Sequence, residues 1–374
     1  MSTPGSTTVL GPASVEDTVL AAMVADLLGH PSVDLLDVHV EPVAYDVASI
    51  TTVSRHWVSG TARTPDGVRP WRIFVKHVQS WRHSPYFAHV PEEVQELAAA
   101  GVPWRIEPLV YRSNLHEHLP DGLAMPRALG VFDLAHDSAA VWLPEVAHPP
   151  VDWTAQRYER AAYLLGRLAG SPSVASRAGV GHFDWSPRVY LEGRLRFEVV
   201  PPVLGDDAWR VPGVMEAFGV KLRERMRAGA GRLDELVSEL DALPRASAHG
   251  DASPNNLLPG AGHDDFVLID FGFFMTQPVA FDLGQLMAGE TQLGGGPDDL
   301  EAADAACVTA YTLGLGDEGR VVDEAVVRRA HALHLFLFAG VSALPGRETM
   351  PPAQLERRAA LVRLSLDLLD ATQP

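Results

Sequence analysis

Cysteine is almost absent from this chain of 374 residues, since Cys307 is the only one. A single cysteine cannot form an intrachain disulfide, which excludes the disulfide framework of small secreted proteins. Residues 1–11 have neither the positively charged start nor the apolar stretch of a signal peptide. We therefore expect a cytoplasmic protein in which Cys307 belongs to the apolar core.

Positive charge and long apolar runs are also scarce. The chain carries 30 basic and 48 acidic residues, for a net charge of -18. Nucleic acids and anionic membranes are bound through a basic face, so the charge argues against both as partners. The apolar run at 333–344 is too short to span a bilayer. No protein partner is evident, and the charge is compatible with a cationic small molecule.

The patterning predicts strands first and helices afterwards. Segments 33–45, 52–61 and 71–78 have the composition of strands, with a turn at 64–67. A capping box at Ser14 predicts a helix in front of them. Helical periodicity dominates the second half of the chain, at 214–242, 298–313, 323–344 and 351–369.

One stretch, from His249 to Asp282, has the residue types of a metal and phosphate site. Asn256 follows Asp251 by five residues, and Asp270 follows a predicted hairpin of strands at 257–258 and 266–269. This hairpin would bring Asn256 near Asp270, and hard oxygen ligands of this kind suit Mg²⁺. Asp251 would then be left to orient or deprotonate a hydroxyl group.

Three motifs in this stretch carry a family resemblance: H-G-D-x-x-x-x-N at 249–256, I-D-F-G at 269–272 and P-V-A-F-D-L-G at 278–284. Together they resemble the aminoglycoside phosphotransferase-like family, the small-molecule kinase branch of the protein-kinase-like fold. The resemblance implies a bilobal α+β fold. Its antiparallel-sheet N-lobe would occupy residues 1–143, a Pro-rich hinge residues 144–150, and a mainly helical C-lobe residues 151–374.

The resemblance also implies roles for individual residues. Asp251 would be the catalytic residue that accepts the proton of a substrate hydroxyl, while Asn256 and Asp270 would bind Mg²⁺. ATP or GTP would be the phosphoryl donor. Lys76 ends an apolar strand, as does the lysine that holds the non-transferred phosphates in this fold. It needs a carboxylate partner, for which we favour Glu107 over the other candidates, Glu92, Glu93 and Glu96.

Glycine is missing where kinases have a Gly-rich loop over the phosphates, because the corresponding stretch at 46–51 contains none. Ser49 and Thr51 are the candidate phosphate contacts that remain in this loop. The departure also argues mildly for a regulatory, nucleotide-binding pseudokinase. The intact Asp251, Asn256 and Asp270 argue against one.

The acceptor is less well specified by the sequence. Only eleven residues separate Asp270 from Asp282, which leaves no room for the long activation segment of a protein kinase. A small hydroxylated acceptor is expected, either an aminoglycoside-like antibiotic or a metabolite such as choline, a sugar or an amino alcohol. Acids after the site would either line a pocket for a polycation or form a solvated helix face: Glu290, Asp298, Asp299, Glu301 and Asp304. Aromatic residues at 182–185 and Tyr190 are further candidates.

Two other patterns imitate binding motifs. The G-x-G-x-x-G at 314–319 follows a predicted helix instead of a strand and contains two acids, so we reject it as a nucleotide motif. His331 and His334 lie one helical turn apart but lack the usual companions of a zinc site. We expect both histidines to serve packing or to lie at the surface.

Overall fold

The computed structural model describes residues 8–44, 49–135, 137–148, 150–180, 186–262, 264–346 and 349–373. The chain separates into two compact units. Unit 1 comprises Met1–Glu117 and Met125–Ala147, and unit 2 comprises His118–Ala124 and His148–Pro374. The boundary between Ala147 and His148 lies within residues 144–150, which the sequence predicts as the hinge. Residues 118–124 belong to unit 2 because a short strand within them pairs with a strand of that unit.

The secondary structure follows the predicted change from strands to helices. The strands in chain order are β1 Asp34–Pro42, β2 Thr52–Thr64, β3 Gly67–Gln79, β4 Leu123–Ala124, β5 Gly130–Leu134, β6 Ser138–Pro144, β7 Arg245–Ala248, β8 Leu257–Pro259, β9 Phe266–Leu268 and β10 Met275–Pro278. The helices are α1 Asp17–Leu28, α2 Gln95–Ala100, α3 Ile106–Arg112, α4 Ala155–Gly170, α5 Pro172–Ala175, α6 Pro187–Tyr190, α7 Val200–Leu204, α8 Val214–Ala230, α9 Leu233–Asp241, α10 Phe281–Gln292, α11 Leu300–Asp317, α12 Glu324–His334 and α13 Pro352–Ala371. Two π-helical segments, Leu191–Val199 and Leu335–Gly340, accompany them.

Unit 1 is built on a five-stranded antiparallel sheet in the order β1-β2-β3-β6-β5. Side chains alternate between the two faces of a strand. One face carries the core that packs with α1, and its buried members include Val58, Ala62, Ile73, Val75 and Trp142. The residues that alternate with these core residues lie on the opposite face of the sheet. Lys76, which follows Val75 in β3, is one of them.

The start of α1 differs from the sequence prediction. The helix begins at Asp17, and Glu16 precedes it without a side-chain capping bond. Residues Thr8–Ala13 form a 3₁₀ helix, and the N–H of Ser14 bonds back to the carbonyl of Gly11. The predicted capping box at Ser14 is therefore wrong, because Ser14 closes the preceding turn. The predicted end is confirmed, since Gly29 has φ 71°.

Unit 2 is mainly helical, and two of its helices cross at very close range. A Cβ atom on Gly166 of α4 would lie 2.1 Å from the carbonyl oxygen of Tyr311 in α11. Reciprocally, a Cβ on Gly314 of α11 would lie 2.1 Å from the carbonyl oxygen of Tyr163 in α4. Only glycine fits at either position. The first glycine of the G-x-G-x-x-G pattern thus packs a helix, which supports rejecting the pattern as a nucleotide motif.

Elsewhere in unit 2, one predicted helix is divided into two. The expected helix at 214–242 is two helices, α8 and α9, with Gly231 after the first. Together with α12 and α13 they enclose a core that includes Leu222, Met226, Leu236, Phe336 and Val362. Cys307 is 1% exposed, as expected of a core residue. Within the ranges that the structure describes, no helix is both long and apolar enough to cross a membrane.

Candidate active site

The motif residues of unit 2 lie on a loop and a hairpin, as predicted. After β7 the chain forms the loop from His249, then a 3₁₀ turn at Pro254–Asn256, then the antiparallel pair β8 and β9. Leu257 pairs with Leu268, and the N–H of Ile269 donates to the carbonyl of Asn256 at 3.1 Å. The hairpin thereby brings the backbone of Asn256 beside the residue that precedes Asp270.

The side chain of Asn256 is tied to Asp251. Its Nδ2 donates to the backbone carbonyl of Asp251 at 2.8 Å and to the Asp251 Oδ2 at 3.0 Å. Because the amide nitrogen makes both bonds, the amide oxygen Oδ1 can serve as a hard ligand. The two residues therefore form one unit: a carboxylate held in orientation by the amide of a potential metal ligand.

Asp270 has an unusual backbone. Its φ is 61°, in the left-handed region, and it is one of three described non-glycine residues with positive φ. Such a conformation costs a non-glycine residue about 1–2 kcal/mol, and asparagine and aspartate tolerate it best. Residues held in this way cluster at functional sites. An Asp at this position combines a tolerated backbone with a carboxylate next to the hairpin.

His249 is fully buried and links the two motif segments. Its Nε2 donates to the carbonyl of Ile269 at 3.0 Å, and its Nδ1 accepts the N–H of Asp251 at 3.3 Å. Burial lowers the pKa of His249 to about 4. The imidazole is therefore neutral at pH 7, with its proton on Nε2. It holds the loop by hydrogen bonds.

Asp282, at the start of α10, holds the same loop through its main chain. It is 1% exposed, and its two carboxylate oxygens accept the N–H groups of His249 and Gly250, each at 2.8 Å. Burial raises the pKa of Asp282 to about 7, although the two N–H donors oppose the rise. Asp282 therefore holds the main chain of the loop at two successive N–H groups.

Gly250 is required by the shape of the loop. Its φ is 85°, and a Cβ there would lie 2.1 Å from the carbonyl oxygen of Phe273. Phe273 lies two residues before β10, and β10 pairs with β7, with Met275 opposite Ala248. The glycine of the H-G-D motif therefore allows the loop to pass close to the segment that follows Asp270.

In unit 1, Lys76 and Glu107 form a buried ion pair. Lys76 Nζ lies 2.7 Å from Glu107 Oε2, and the two residues are 5% and 3% exposed. Glu107 lies in the first turn of α3. Glu96 instead forms an exposed ion pair with Arg82, and its two oxygens lie 2.5 and 2.8 Å from the guanidinium. The remaining candidates, Glu92 and Glu93, are exposed.

Ser49 and Thr51 are engaged in local structure before β2. Ser49 Oγ accepts the N–H of Thr52 at 3.2 Å, and the carbonyl of Thr51 accepts the N–H of Gln79 at 2.8 Å. Both residues are half-buried. The rest of the glycine-free stretch, residues 46–48, lies outside the described residues. These bonds fix the end of the loop, where it enters β2, and the contacts of the loop with phosphate stay a prediction.

The acids after the site have different environments. Asp304 lies within the core of unit 2, where its Oδ1 is 2.6 Å from Nε2 of the buried His331, so it cannot line an open pocket. Glu290 accepts the hydroxyl of Tyr158 at 2.9 Å. Glu301 is exposed on α11. Asp298 and Asp299 line a cavity of about 690 Å³ in unit 2.

Two residues of this cavity were not singled out from the sequence. Trp153 and Glu159 contribute to its wall with Asp298 and Asp299. Trp153 directly precedes Thr154, which caps α4, and this aromatic residue beside a helix start was the available signal. Residues 182–185 lie outside the described residues. Tyr190 stacks on Phe338 with ring centroids 4.4 Å apart, as an aromatic packing residue does.

The donor set fits magnesium. Asn256 and Asp270 supply two kinds of hard oxygen from neighbouring positions of one hairpin, and Mg²⁺ is commonly held by one or two protein ligands while phosphate and water complete its shell. Across the part of the chain that the structure describes, no group of three or more His, Cys, Asp or Glu residues could hold a metal ion. His331 and His334 are each 1% exposed, so of the two places expected for them, packing and the surface, both take the first.

Comparison with known proteins supplies the family. The model of the phosphotransferase enzyme family matches residues 87–324, more than half of the chain. A search of curated proteins found no significant match. Among solved structures, an aminoglycoside phosphotransferase from Alicyclobacillus acidocaldarius has a TM-score of 0.50 at 15% identity, covering 89% of this chain and 91% of that one. At this identity the likeness shows the fold alone, and the predicted α+β protein-kinase-like fold is confirmed.

Two further structures are similar to a lesser degree. An amicoumacin kinase in complex with AMP-PNP, Ca²⁺ and Ami has a TM-score of 0.49 at 12% identity, covering 89% of this chain and 88% of that one. An aminoglycoside phosphotransferase from Streptomyces rimosus, in complex with ADP and streptomycin, has a TM-score of 0.41 at 18% identity, covering 80% and 91%.

Proposed function

Because this chain belongs to the phosphotransferase enzyme family, we propose that it moves the γ-phosphoryl group of ATP or GTP to a hydroxyl group of a small molecule. The observation that carries the proposal is the hydrogen-bonded pair of Asp251 and Asn256 on a hairpin that continues into Asp270. A carboxylate for the hydroxyl and two oxygen ligands for the metal are the parts that phosphoryl transfer needs.

Each residue has a role within this proposal. Asp251 orients the acceptor hydroxyl and accepts its proton, and the amide of Asn256 keeps the carboxylate in place. Asn256 and Asp270 hold Mg²⁺, which neutralises phosphate charge when it is bound. Lys76 binds the non-transferred phosphates. The carboxylate of Glu107 holds the ammonium group of Lys76 in a single position. Ser49 and Thr51 remain candidate phosphate contacts.

The acceptor that we propose is a hydroxylated cation, most simply an aminoglycoside-like antibiotic that the enzyme inactivates. The cavity of unit 2 supports this choice, because its charged wall residues are the three acids Glu159, Asp298 and Asp299. Like-charged acids around one cavity favour a ligand with several positive charges. A cytoplasmic reaction fits both the nucleotide donor and the free, buried Cys307.

A second candidate acceptor is a small amino alcohol or choline-like metabolite. Trp153 lies in the wall of the same cavity, and an aromatic ring beside carboxylates suits a single ammonium group. The regulatory alternative, a nucleotide-binding pseudokinase, draws its support from the glycine-free loop. The complete set of Asp251, Asn256 and Asp270 favours an active enzyme over it.

The test is ATP and GTP consumption across a panel of aminoglycosides, other hydroxylated antibiotics, choline, amino alcohols and sugars. Turnover with a polycation supports antibiotic inactivation, and turnover with a monovalent amino alcohol supports the metabolite reading. Asp251→Asn is the matched control, because it preserves size and removes the proton acceptor. Binding of Mg-ATP without turnover of any panel member would favour the regulatory alternative and refute the catalytic proposal.

A further inference from the structure

The turn before α10 is held in an unusual backbone conformation. Ala280 directly precedes the helix and has φ 67°, in the left-handed region. It is fully buried, and it is not one of the residues that tolerate this region best, which are glycine, asparagine and aspartate. Such a conformation persists only where surrounding contacts hold it. Two residues later comes Asp282, whose carboxylate holds the loop that leads to Asp251.

The side chain of Tyr311, in α11, provides one of these contacts. Its hydroxyl oxygen accepts the N–H of Ala280 at 3.2 Å, and the residue is 2% exposed. Burial, followed by the negative charge of Asp282, raises the pKa of Tyr311, so the hydroxyl group stays neutral. The preceding N–H, that of Val279, donates to the carbonyl of Pro244 at 2.8 Å. The turn is therefore bonded at two successive N–H groups.

The main chain of Tyr311 is fixed by the crossing of α4 and α11. Its carbonyl oxygen lies 2.1 Å from the position that a Cβ on Gly166 would take, so the two helices are in closest contact at this residue. Gly314, three residues further along α11, makes the reciprocal contact with the carbonyl of Tyr163. Close-packed elements of this kind yield little and transmit displacements. The hydroxyl of Tyr311 therefore extends from a rigid support, formed by the two helices whose starts line the cavity.

We propose that Tyr311 is a positioning residue for phosphoryl transfer, whose hydroxyl group holds the turn at Ala280 and, through Asp282, the loop that carries Asp251. The inference rests on the proposed function for the role of Asp251. A displacement of about 1 Å at a reacting group can cost roughly 100-fold in rate. A hydroxyl group buried in the core can therefore control turnover without touching a substrate.

A role of Tyr311 in packing alone makes a different prediction. In Tyr311→Phe the ring stays and only the hydroxyl group is lost, which leaves the buried N–H of Ala280 without this acceptor. If the ring only packs, the folded variant keeps the wild-type kcat. If the hydroxyl holds the loop, kcat falls while the KM values of donor and acceptor change little, because Asp251 is misplaced and the substrates still bind.

Glycine at position 280 tests the path through this turn. Glycine adopts a positive φ without steric cost, so in Ala280→Gly the turn depends less on the hydroxyl. Tyr311→Phe is expected to lower kcat by roughly 3- to 30-fold in the wild-type background. In the Ala280→Gly background the same change is expected to lower kcat by less than about threefold, a coupling that a double-mutant cycle measures. An equal loss in both backgrounds would overturn the inference.

Hydrogen exchange tests the same path without any turnover. Mass spectrometry of peptides that contain residues 249–251, from the full-length protein, follows the two amides that donate to Asp282. Tyr311→Phe is expected to speed their exchange by roughly 5- to 100-fold, the factor that corresponds to the loss of one buried hydrogen-bond partner. Tyr163→Phe is the matched control, because it removes a tyrosine hydroxyl between the same two helices, bonded to Asp317 at 2.7 Å at the surface. It should change neither this exchange nor kcat.

Unchanged exchange in Tyr311→Phe would overturn the inference, and so would a wild-type kcat in the folded variant. Wild-type protein that turns over no acceptor would refute the proposed function, and the exchange measurement would then decide alone whether Tyr311 holds the loop. Circular dichroism identifies an unfolded variant. Should Tyr311→Phe be unfolded, folding of the double variant with Ala280→Gly would support the path through the turn, and failure of both to fold would overturn it.

Discussion

The glycine of the H-G-D motif offers the sharpest test of the loop geometry. In Gly250→Ala the new methyl group would lie 2.1 Å from the Phe273 carbonyl oxygen and 2.6 Å from the Phe273 Cβ. The pairing of β10 with β7 holds that carbonyl in place, so one strand must shift. The backbone, at φ 85°, adds strain for any residue with a Cβ.

The expected cost follows from these two contributions. A left-handed conformation costs an alanine about 1–2 kcal/mol, and forcing a methyl group into occupied space typically costs about 1–3 kcal/mol. Gly250→Ala should therefore lose roughly 2–5 kcal/mol of stability. It should also lose turnover, because the shifted loop misplaces Asp251.

The assay is urea unfolding followed by circular dichroism, with turnover measured in parallel. Gly316→Ala is the matched control, since Gly316 lies in α11 with nothing within 4 Å of its Cβ position and without a positive φ. The control should gain up to about 1 kcal/mol, because alanine is the better helix former. A Gly250→Ala variant with wild-type stability and turnover would refute the loop geometry described here.

Three further predictions concern the side chains of the site. Asp251→Asn should reduce turnover by about 10²- to 10⁴-fold while calorimetry shows nearly unchanged Mg-nucleotide binding, and wild-type turnover would rule out a proton-accepting role. Asp270→Ala should weaken Mg-nucleotide binding itself, so unchanged affinity would exclude it as a metal ligand. His249 is kept neutral by burial, with its pKa lowered to about 4. Between pH 6.5 and about 4 the unfolded chain binds a proton at this histidine that the folded chain does not, so the contribution of His249 to stability falls as pH decreases through this window. His249→Gln should lose part of that pH dependence in urea unfolding at pH 7 and pH 5, and an identical dependence in both proteins would contradict the assignment.

The parts of the site that depend on nearby residues were predictable from the sequence. The hairpin around Asn256 and Asp270 follows from two short apolar runs separated by a glycine-containing turn, and the structure has it at 257–268. The pairing of Lys76 with Glu107 could be proposed from chain order once the family motifs were recognised. The first prediction needed only the local sequence pattern. The second needed only the order of the motifs along the chain.

Other features depend on contacts between distant segments. Nothing in the local sequence distinguishes Asp304, which is buried against His331, from the exposed Asp298 and Asp299 in the cavity wall. The need for glycine at position 250 arises from Phe273, 23 residues further on. The assignment of 118–124 to unit 2 depends on pairing with β9. In each case the deciding partner is brought close only by the fold.

The crossing of α4 and α11 has a consequence for recombination between relatives. Each helix places its glycine, Gly166 or Gly314, against a main-chain carbonyl of the other, at Tyr311 or Tyr163. A chimaera that inherits one helix from a parent with a larger residue at the crossing would force the two axes apart. The cavity formed by the starts of the same two helices would change shape with them. These helices should therefore be exchanged as a pair when chimaeras are built to test the acceptor proposed for this cavity.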